Sequence, residues 1–193
     1  MIRVLNVISD TNIGGAGRVI LNYLRYADSS RFETWVAVPK GSLLKEPLEE
    51  AGARVLEVDG MADRSYHKED VKALKELLRR ERPDLVHTHG ALSGRVAARQ
   101  CGVPVVYSRH SAFPVPAKLK YPPGRWVNKL LNEHYADHII AVSPATRDNL
   151  TEGGISPKKI TVVMNGVAPV EETGPEDRAK LRQALSIPPD TVV

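Results

Sequence analysis

Residues 4–24 read VLNVISDTNIGGAGRVILNYL, and this stretch decides the fold. Its first five residues form a short apolar run before the polar pair Ser9-Asp10, which is typical of a buried parallel strand. From Ala16 onward, apolar residues recur at the spacing of one helix face. The glycine-rich turn between them, GGAG at residues 14–17, is expected to adopt backbone conformations closed to other residues. The stretch therefore predicts a strand, a glycine turn and a helix.

A glycine turn in front of a helix presents free backbone N–H groups and a positive helix end to an anion. The plainer alternative is a turn that needs glycine only for close packing. A dinucleotide fingerprint is not matched, because Ile20 stands where the third glycine of G-x-G-x-x-G would be. The P-loop pattern G-x-x-x-x-G-K-[ST] is also missing from the sequence. The sequence therefore disfavours NAD and P-loop chemistry, and it leaves a phosphate or diphosphate at this turn open beside the packing alternative.

The composition is that of an ordinary soluble globular protein, with 42% hydrophobic and 26% charged residues. The net charge of +4 fits an anionic ligand or a membrane surface, while the low aromatic content and scattered basic residues argue against nucleic acid. A single cysteine, Cys101, excludes an intrachain disulfide and fits a reducing cytoplasm. We expect neither a signal peptide nor a membrane span, and hence a cytoplasmic protein.

Predicted strands and helices alternate along the chain. The strands are predicted over residues 4–8, 33–39, 54–58, 84–88, 104–108, 138–142 and 159–163. The helices are predicted from residue 16 and over 42–51, 69–82, 91–100, 125–135 and 144–152, and residues 109–124 are predicted as a loop. This alternation predicts an α/β fold, a Rossmann-like three-layer sandwich with a mostly parallel seven-stranded sheet.

Polar and ionisable residues follow the predicted strands at the edge where such sheets bind ligands. They are Ser9 and Asp10, then His87, His89 and Gly90, then Ser108, Arg109, His110 and Ser111, and finally Ser143, Asn165 and Gly166. We expect His87 and His89 to point to opposite faces of their strand, with His89 facing the site and His87 in the core. Two histidines at this spacing, with no cysteine or third ligand nearby, argue only weakly for a metal site.

Five stretches occur in a specific order: IGGAGRVILNYL, RPDLVHTHG, VPVVYSRHSAF, ADHIIAVSPATRDNL and KITVVMNGV. Together they resemble the retaining glycosyltransferases of family 4, which have the two-domain GT-B fold. The resemblance implies transfer of a sugar from a nucleotide-sugar to a carbohydrate or lipid-linked acceptor, with retained anomeric configuration. It also implies that no metal or other cofactor is needed. Residues 1–167 would be the Rossmann-like acceptor-side domain, the N-terminal half of a GT-B fold.

The resemblance also assigns roles to individual residues. It places Gly14 and Gly15 against the donor diphosphate and makes His110 the catalytic residue that positions the donor sugar. For His110 the alternative is a hydrogen bond that merely anchors its loop. Candidate acceptor contacts are Asp10, His89 and Arg109. Arg109 could bind an acceptor phosphate, or it could be an exposed surface charge.

In this family the donor-binding Arg and Lys and the E-x7-E pair belong to a second domain. Glu49 and Glu57 match that spacing by accident, because they fall on a helix and an early strand of the first domain. We expect residues 168–193 to be an interdomain linker, with a short charged helix from Glu176 and the start of the next domain's first strand at 188–193. The chain would then be a truncated piece that is inactive by itself.

The segment at residues 114–131 combines basic and aromatic side chains next to the site, which suits anionic lipid headgroups. We expect four of them to contact a lipid-linked acceptor or the inner face of a membrane: Lys118, Lys120, Arg125 and Trp126. Lys129 and Tyr121 belong to the same segment. The plainer alternative is a solvated loop with Trp126 packed on the core.

Two other functions stay open at this stage. A sugar-nucleotide epimerase shares the two-domain plan, but it would need acid–base carboxylates, and Asp10 is the only carboxylate squarely at the strand ends. A non-enzymatic binding or membrane-docking module would use the basic segment at residues 114–131.

Overall fold

The computed structural model describes residues 1–169, 174–188 and 191–192. Within them the strands are β1 Ile2–Ile8, β2 Phe32–Pro39, β3 Arg54–Val58, β4 Leu85–His89, β5 Val105–Arg109, β6 His138–Ala141 and β7 Ile160–Val162. The helices are α1 Gly15–Tyr26, α2 Lys45–Glu50, α3 Lys68–Glu81, α4 Leu92–Gln100, α5 Ala117–Lys120, α6 Gly124–His134, α7 Pro144–Glu152 and α8 Pro175–Ala184, with a 3-10 turn at Pro157–Lys159.

The strands form one seven-stranded sheet in the order β3-β2-β1-β4-β5-β6-β7, and every neighbouring pair runs parallel. The predicted α/β sheet is therefore confirmed. The strand order reverses direction between β1 and β4. In sheets of this kind, ligands bind beyond the carboxyl ends of the strands at such a switch point. The residues that follow β1, β4 and β5 are therefore the ones to examine for a site.

Helices cover both faces of the sheet and bury its apolar residues. On one face, α3 and α4 pack on β1 and β4, where Leu74 and Ala97 join Leu5 and Val86 in a buried cluster. On the other face, α1 and α2 cover the strands from β1 to β3 through a second cluster. A third cluster joins α7 to β5 and β6. The three layers match the predicted sandwich.

The face that carries α1 stays open over β4, β5 and β6. A groove of about 540 Å³ lies there. Alternate residues of the strands form its floor, α1 forms one wall and residues 163–167 form the other. The amide of Asn22 on α1 donates to the carbonyl oxygen of Gly166 at 3.2 Å, so the two walls are joined.

Most predicted boundaries agree with the structure to within a few residues, with two exceptions of note. The predicted loop at 109–124 contains the short helix α5. The second helix begins at Lys45, later than predicted; the Ser42 hydroxyl accepts from the Leu44 N–H at 3.3 Å and also donates to the Asp10 carbonyl oxygen at 2.9 Å. By contrast, Ser143 caps α7 as predicted and accepts from the Thr146 N–H at 3.1 Å.

The helix predicted from Glu176 is present as α8. Three of the six residues of the strand predicted at 188–193 lie outside the described residues. The division into residues 1–167 and 168–193 stays a prediction. Among the described residues, no helix is both long enough and apolar enough to cross a bilayer.

Candidate functional site

The predicted site residues meet at the carboxyl edge of three adjacent strands. Asp10, Gly14 and Gly15 follow β1, His89 ends β4, and His110 follows β5 directly. Since β1, β4 and β5 are neighbours and run parallel, their following loops lie on the same rim of the sheet. The structure therefore brings the glycine turn and His110 to the same rim, with β4 between them.

Three histidines and an asparagine form a connected cluster on the floor of the groove. His89 lies at its centre, with Nδ1 2.9 Å from His110 Nε2 and Nε2 3.0 Å from the amide oxygen of Asn6. The ring of His87 lies 4.4 Å from that of His89, centroid to centroid, and His87 Nε2 is 2.7 Å from the Ser108 hydroxyl. Sequence analysis did not single out Asn6, which stands inside an apolar strand.

The expectation that His87 and His89 point to opposite faces is wrong. Residues two apart on a strand project from the same face, and both histidines line the groove. His89 is only 6% exposed, and both of its ring nitrogens already have partners. It is therefore better placed to hold His110 than to touch an acceptor.

The hydrogen bonds fix which nitrogens carry protons. The Asn6 amide nitrogen faces the Trp35 carbonyl oxygen at 3.4 Å, so the Asn6 amide oxygen faces His89 and accepts from Nε2–H. His89 Nδ1 is then an acceptor, and His110 donates to it from Nε2–H. His110 Nδ1 is left unprotonated, and it has no hydrogen-bond partner among the described residues. The cluster thus ends in a buried acceptor, His110 Nδ1, that has no partner in the described part of the chain.

Burial keeps all three histidines neutral at pH 7. Desolvation, with a contribution from His110, lowers the pKa of His87 to about 4. Burial also lowers the pKa of His89 well below the ordinary value, and the neighbouring His87 and His110 add to this effect. The pKa of His110 is lowered by burial. A neutral His110 keeps the Nδ1 lone pair that the network leaves free.

The glycine turn presents free N–H groups at the start of α1. The first intrahelical bond runs from the Arg18 N–H to the Gly14 oxygen at 3.1 Å, so the N–H groups of residues 15–17 have no acceptor within the helix. No side chain caps this end. A Cβ at Gly15 would meet nothing within 4 Å, whereas one at Gly17 would lie 2.5 Å from Leu44 Cδ2. Close packing therefore explains Gly17 but not Gly15.

The expectation that the glycine turn adopts backbone conformations that only glycine readily reaches is wrong. None of Gly14, Gly15 and Gly17 has a positive φ angle, and Gly14 has φ −83° and ψ −173°. A side chain at Gly14 would instead approach the Asp10 carboxylate, since a Cβ there would lie 3.2 Å from Oδ2. Gly15 is exposed, and the space beside it leaves its backbone open.

A second carboxylate, which sequence analysis missed, reaches the same rim. Asp63 lies in the loop after β3, and its carboxylate accepts from the Thr11 N–H at 3.0 Å and from the Thr11 hydroxyl at 2.5 Å. Its own N–H donates to the Ser9 oxygen at 2.8 Å. Burial raises the pKa of Asp10, and the charge of Asp63 adds to this rise. Asp10 is therefore not the only carboxylate near the strand ends.

Arg109 lies at the rim but projects from the opposite face of β5 to His110. It is half-buried, and its Nε–H donates to the Ser111 oxygen at 2.9 Å. On the same face, sequence analysis missed the buried Arg95, whose guanidinium lies 4.1 Å from the centre of the Tyr107 ring. Arg95 also donates to the Asn132 amide oxygen at 3.0 Å. Burial, and then the charge of Arg109, lowers the pKa of Arg95.

Some basic side chains of the segment at residues 114–131 already have partners within the domain. Lys120 pairs with the Glu152 carboxylate at 2.7 Å, and Arg125 donates to the carbonyl oxygens of Thr151 and Glu152. Lys118 is exposed. Trp126 is 66% exposed, so the alternative in which it packs on the core is wrong.

No three His, Cys, Asp or Glu side chains within the described ranges form a group that could hold a metal ion. The prediction of a reaction without a metal or other cofactor stays a prediction.

Comparison with known proteins agrees with this architecture. The protein HepE of Anabaena, solved in complex with UDP and glucose, is 21% identical with a TM-score of 0.73, over 96% of this chain and 50% of HepE. A glycosyltransferase from Rickettsia africae is 20% identical with a TM-score of 0.74, over 98% of this chain and 51% of that one. The UDP-GlcNAc 2-epimerase of Neisseria meningitidis is 16% identical with a TM-score of 0.59, over 83% and 45% of the two chains. These matches show the fold of one GT-B half.

The chain spans about half the length of the solved structures that it matches. No curated protein sequence matches it. The profile of Glycosyltransferase Family 4 matches residues 13–171, which is most of the chain and includes the glycine turn and the histidine cluster. The resemblance seen in the sequence is therefore confirmed, and the chain belongs to glycosyltransferase family 4.

Proposed function

We propose that the chain is the acceptor-side half of a retaining glycosyltransferase, which moves a hexose from a nucleotide-sugar to a carbohydrate or lipid-linked acceptor. The family match supports the class of reaction. HepE, solved with UDP-glucose, supports a nucleoside-diphosphate donor. Activity of the whole enzyme would require a second, donor-binding half that supplies most of the donor contacts.

One observation carries this proposal. The free N–H groups at the start of α1 and His110 lie on the same rim, and His110 lines the groove with a buried Nδ1 that has no partner among the described residues. Both groups are complementary to parts of a nucleotide-sugar. Backbone N–H groups at a helix N-terminus bind phosphate oxygens. A neutral imidazole nitrogen without a proton accepts a hydrogen bond from a sugar hydroxyl.

The two groups would act on different parts of the reaction. Negative charge develops on the departing diphosphate, and the N–H groups of residues 15–17 with the α1 dipole stabilise it. His110 accepts from a donor-sugar hydroxyl and holds the anomeric carbon in place for the acceptor. Asn6 and His89 hold the His110 ring in the tautomer that this contact requires. Asp10 and Arg109, which also lie at the rim, remain candidates for contacts with the acceptor.

Product analysis tests the proposal. The complete protein containing this chain is incubated with nucleotide-sugars labelled in the sugar, together with a membrane-lipid and oligosaccharide extract as acceptor. We expect label to leave the nucleotide and appear in acceptor with the donor's anomeric configuration. His110→Ala should reduce kcat by about 100-fold, and Lys72→Ala, on α3 away from the rim, should not. Label that stays on the nucleotide under all conditions would contradict the proposal.

A sugar-nucleotide epimerase is the second candidate. The observation in its favour is the pair Asp10 and Asp63 at the rim, where the pKa of Asp10 is raised. It is less favoured because Thr11 occupies the Asp63 carboxylate with two hydrogen bonds. In the same assay an epimerase would change the configuration of the sugar while leaving it attached to the nucleotide.

A further inference from the structure

Helix α6 is amphipathic, but its apolar side faces outward. The apolar residues Trp126, Val127, Leu130 and Leu131 share one side of the helix and are between 45% and 69% exposed. No residue of α6 is fully buried. A surface helix ordinarily turns its apolar stripe toward the core, so α6 shows the reverse of the usual arrangement.

The polar side of α6 attaches it to the domain. Arg125 donates to the Thr151 and Glu152 carbonyl oxygens at 3.4 and 3.3 Å. The Asn128 amide donates to the Gly153 oxygen at 2.8 Å, and the Glu133 carboxylate accepts from the Ser156 N–H at 2.8 Å. These bonds set the rotation of the helix, and they leave the apolar side without a partner among the described residues.

Basic and aromatic side chains border this apolar side. Tyr121, just before α6, is 70% exposed. Lys118 and Lys129 are exposed, and neither pairs with a carboxylate in the described part of the chain. Glu133 is the only acidic residue between positions 111 and 135, and its carboxylate turns inward to Ser156. The outward surface is therefore apolar at its centre and positive at its border.

We propose that this surface, formed by Tyr121, Trp126, Val127, Leu130 and Leu131 with Lys118 and Lys129, lies on an anionic lipid bilayer. Apolar and aromatic side chains enter the headgroup boundary, and lysines beside them attract anionic headgroups. A symmetric pair of copies would instead bring the lysines of both copies together, which is unfavourable. This inference does not depend on the proposed transfer reaction.

Vesicle co-sedimentation of the 193-residue chain tests the inference. The probes are vesicles of phosphatidylcholine alone and of phosphatidylcholine mixed with phosphatidylglycerol. We expect binding to the mixed vesicles and much weaker binding to the neutral ones. The double variant Trp126→Ser/Leu130→Ser should reduce binding by at least about tenfold. Lys118→Ser and Lys129→Ser should each reduce it by about fivefold, and added salt should act in the same direction.

The matched control is Leu181→Ser/Leu185→Ser, at one residue on α8 and one just after it, where the two leucines are 62% and 60% exposed. It removes a similar exposed apolar area outside the proposed surface, so binding should stay unchanged. Circular dichroism and thermal melting show whether each variant keeps the fold. The chain has two tryptophans, and Trp35 is only 4% exposed, so a blue shift of fluorescence on vesicles would report Trp126 directly.

Three results would overturn the inference. The first is equal binding by the control and the α6 variants, or no binding to anionic vesicles. The second is a dimer in sedimentation velocity that the α6 substitutions abolish while vesicle binding is missing, which would make the occupant a second copy. The third is protection of Trp126 from quenchers in the complete protein without lipid, which would place another part of that protein on α6.

Discussion

Asn6→Asp places a carboxylate where the Asn6 amide oxygen accepts from His89 Nε2 at 3.0 Å. In the wild-type chain His89 is neutral and accepts from His110 at Nδ1. A carboxylate at 3.0 Å would attract a protonated His89 by about 5 kcal/mol at an effective dielectric constant of 20. Desolvation of the buried pair offsets part of this attraction.

The remaining attraction is expected to exceed the net contribution of the neutral His110–His89 hydrogen bond, about 0.5–1.5 kcal/mol. His89 would then carry a proton on both nitrogens and donate to His110. His110 Nε2 would become the acceptor, and its proton would move to Nδ1. The free acceptor at the rim would disappear without any change in the shape of the site.

Long-range ¹H–¹⁵N spectra of histidine-labelled chain distinguish protonated from unprotonated ring nitrogens. We expect the wild type to show His110 protonated at Nε2 and the Asn6→Asp variant to show it protonated at Nδ1. Asn22→Asp is the matched control, because Asn22 lines the same groove but bonds Gly166 and touches no histidine. A wild-type His110 protonated at Nδ1, or an Asn6→Asp spectrum identical to the wild type, would refute the assignment of the network.

The remaining predictions concern stability. The pKa of His87 in the folded chain lies near 4, below its ordinary 6.5, so the unfolded chain takes up a proton on His87 first as the pH falls. The free energy of unfolding, measured with urea, should therefore fall by about 3 kcal/mol from pH 7 to pH 4. A flat pH profile would contradict this. Gly17→Ala, whose Cβ would lie 2.5 Å from a buried leucine, should lower the unfolding free energy by about 1–3 kcal/mol. Gly15→Ala should change it by less than about 1 kcal/mol, so equal effects of the two variants would count against the packing argument. Asp70→Ala removes the acceptor of the buried Met61 N–H and should lower the unfolding free energy by about 2–4 kcal/mol. A smaller change, measured by thermal melting, would show that water replaces the carboxylate.

The fold could be predicted because its signals are local. Periodicity, proline and glycine positions and cap residues such as Ser143 mark each element. The parallel sheet follows from their alternation. The strand order and the open groove beside α1 do not follow, because they depend on contacts between elements that are distant in sequence.

The site could be predicted only where it sits at strand ends. That rule identified Gly15 and His110 as neighbours on one rim. It missed Asn6, which lies within β1 and acts on His110 only through His89. It also missed Asp63, whose positive φ of 48° turns its loop back onto the rim in a way that residue type alone does not signal.

Helix α6 shows a further limit. Its periodicity predicts an amphipathic helix, but the sequence does not say which side faces the domain. The side is set by acceptors far along the chain, namely the carbonyl oxygens of Thr151, Glu152 and Gly153. Trp126 could therefore be placed in a helix from the sequence, but not on its exposed side.

A titration of the ¹⁵N-labelled chain with UDP-glucose, followed through backbone amides and histidine side chains, tests the central claim most directly. We predict that the amide signals of residues 15–17 and the His110 ring nitrogens shift together and saturate with one dissociation constant. Shifts confined to other parts of the groove, or no shift at Gly15 and His110 at millimolar ligand, would contradict the account.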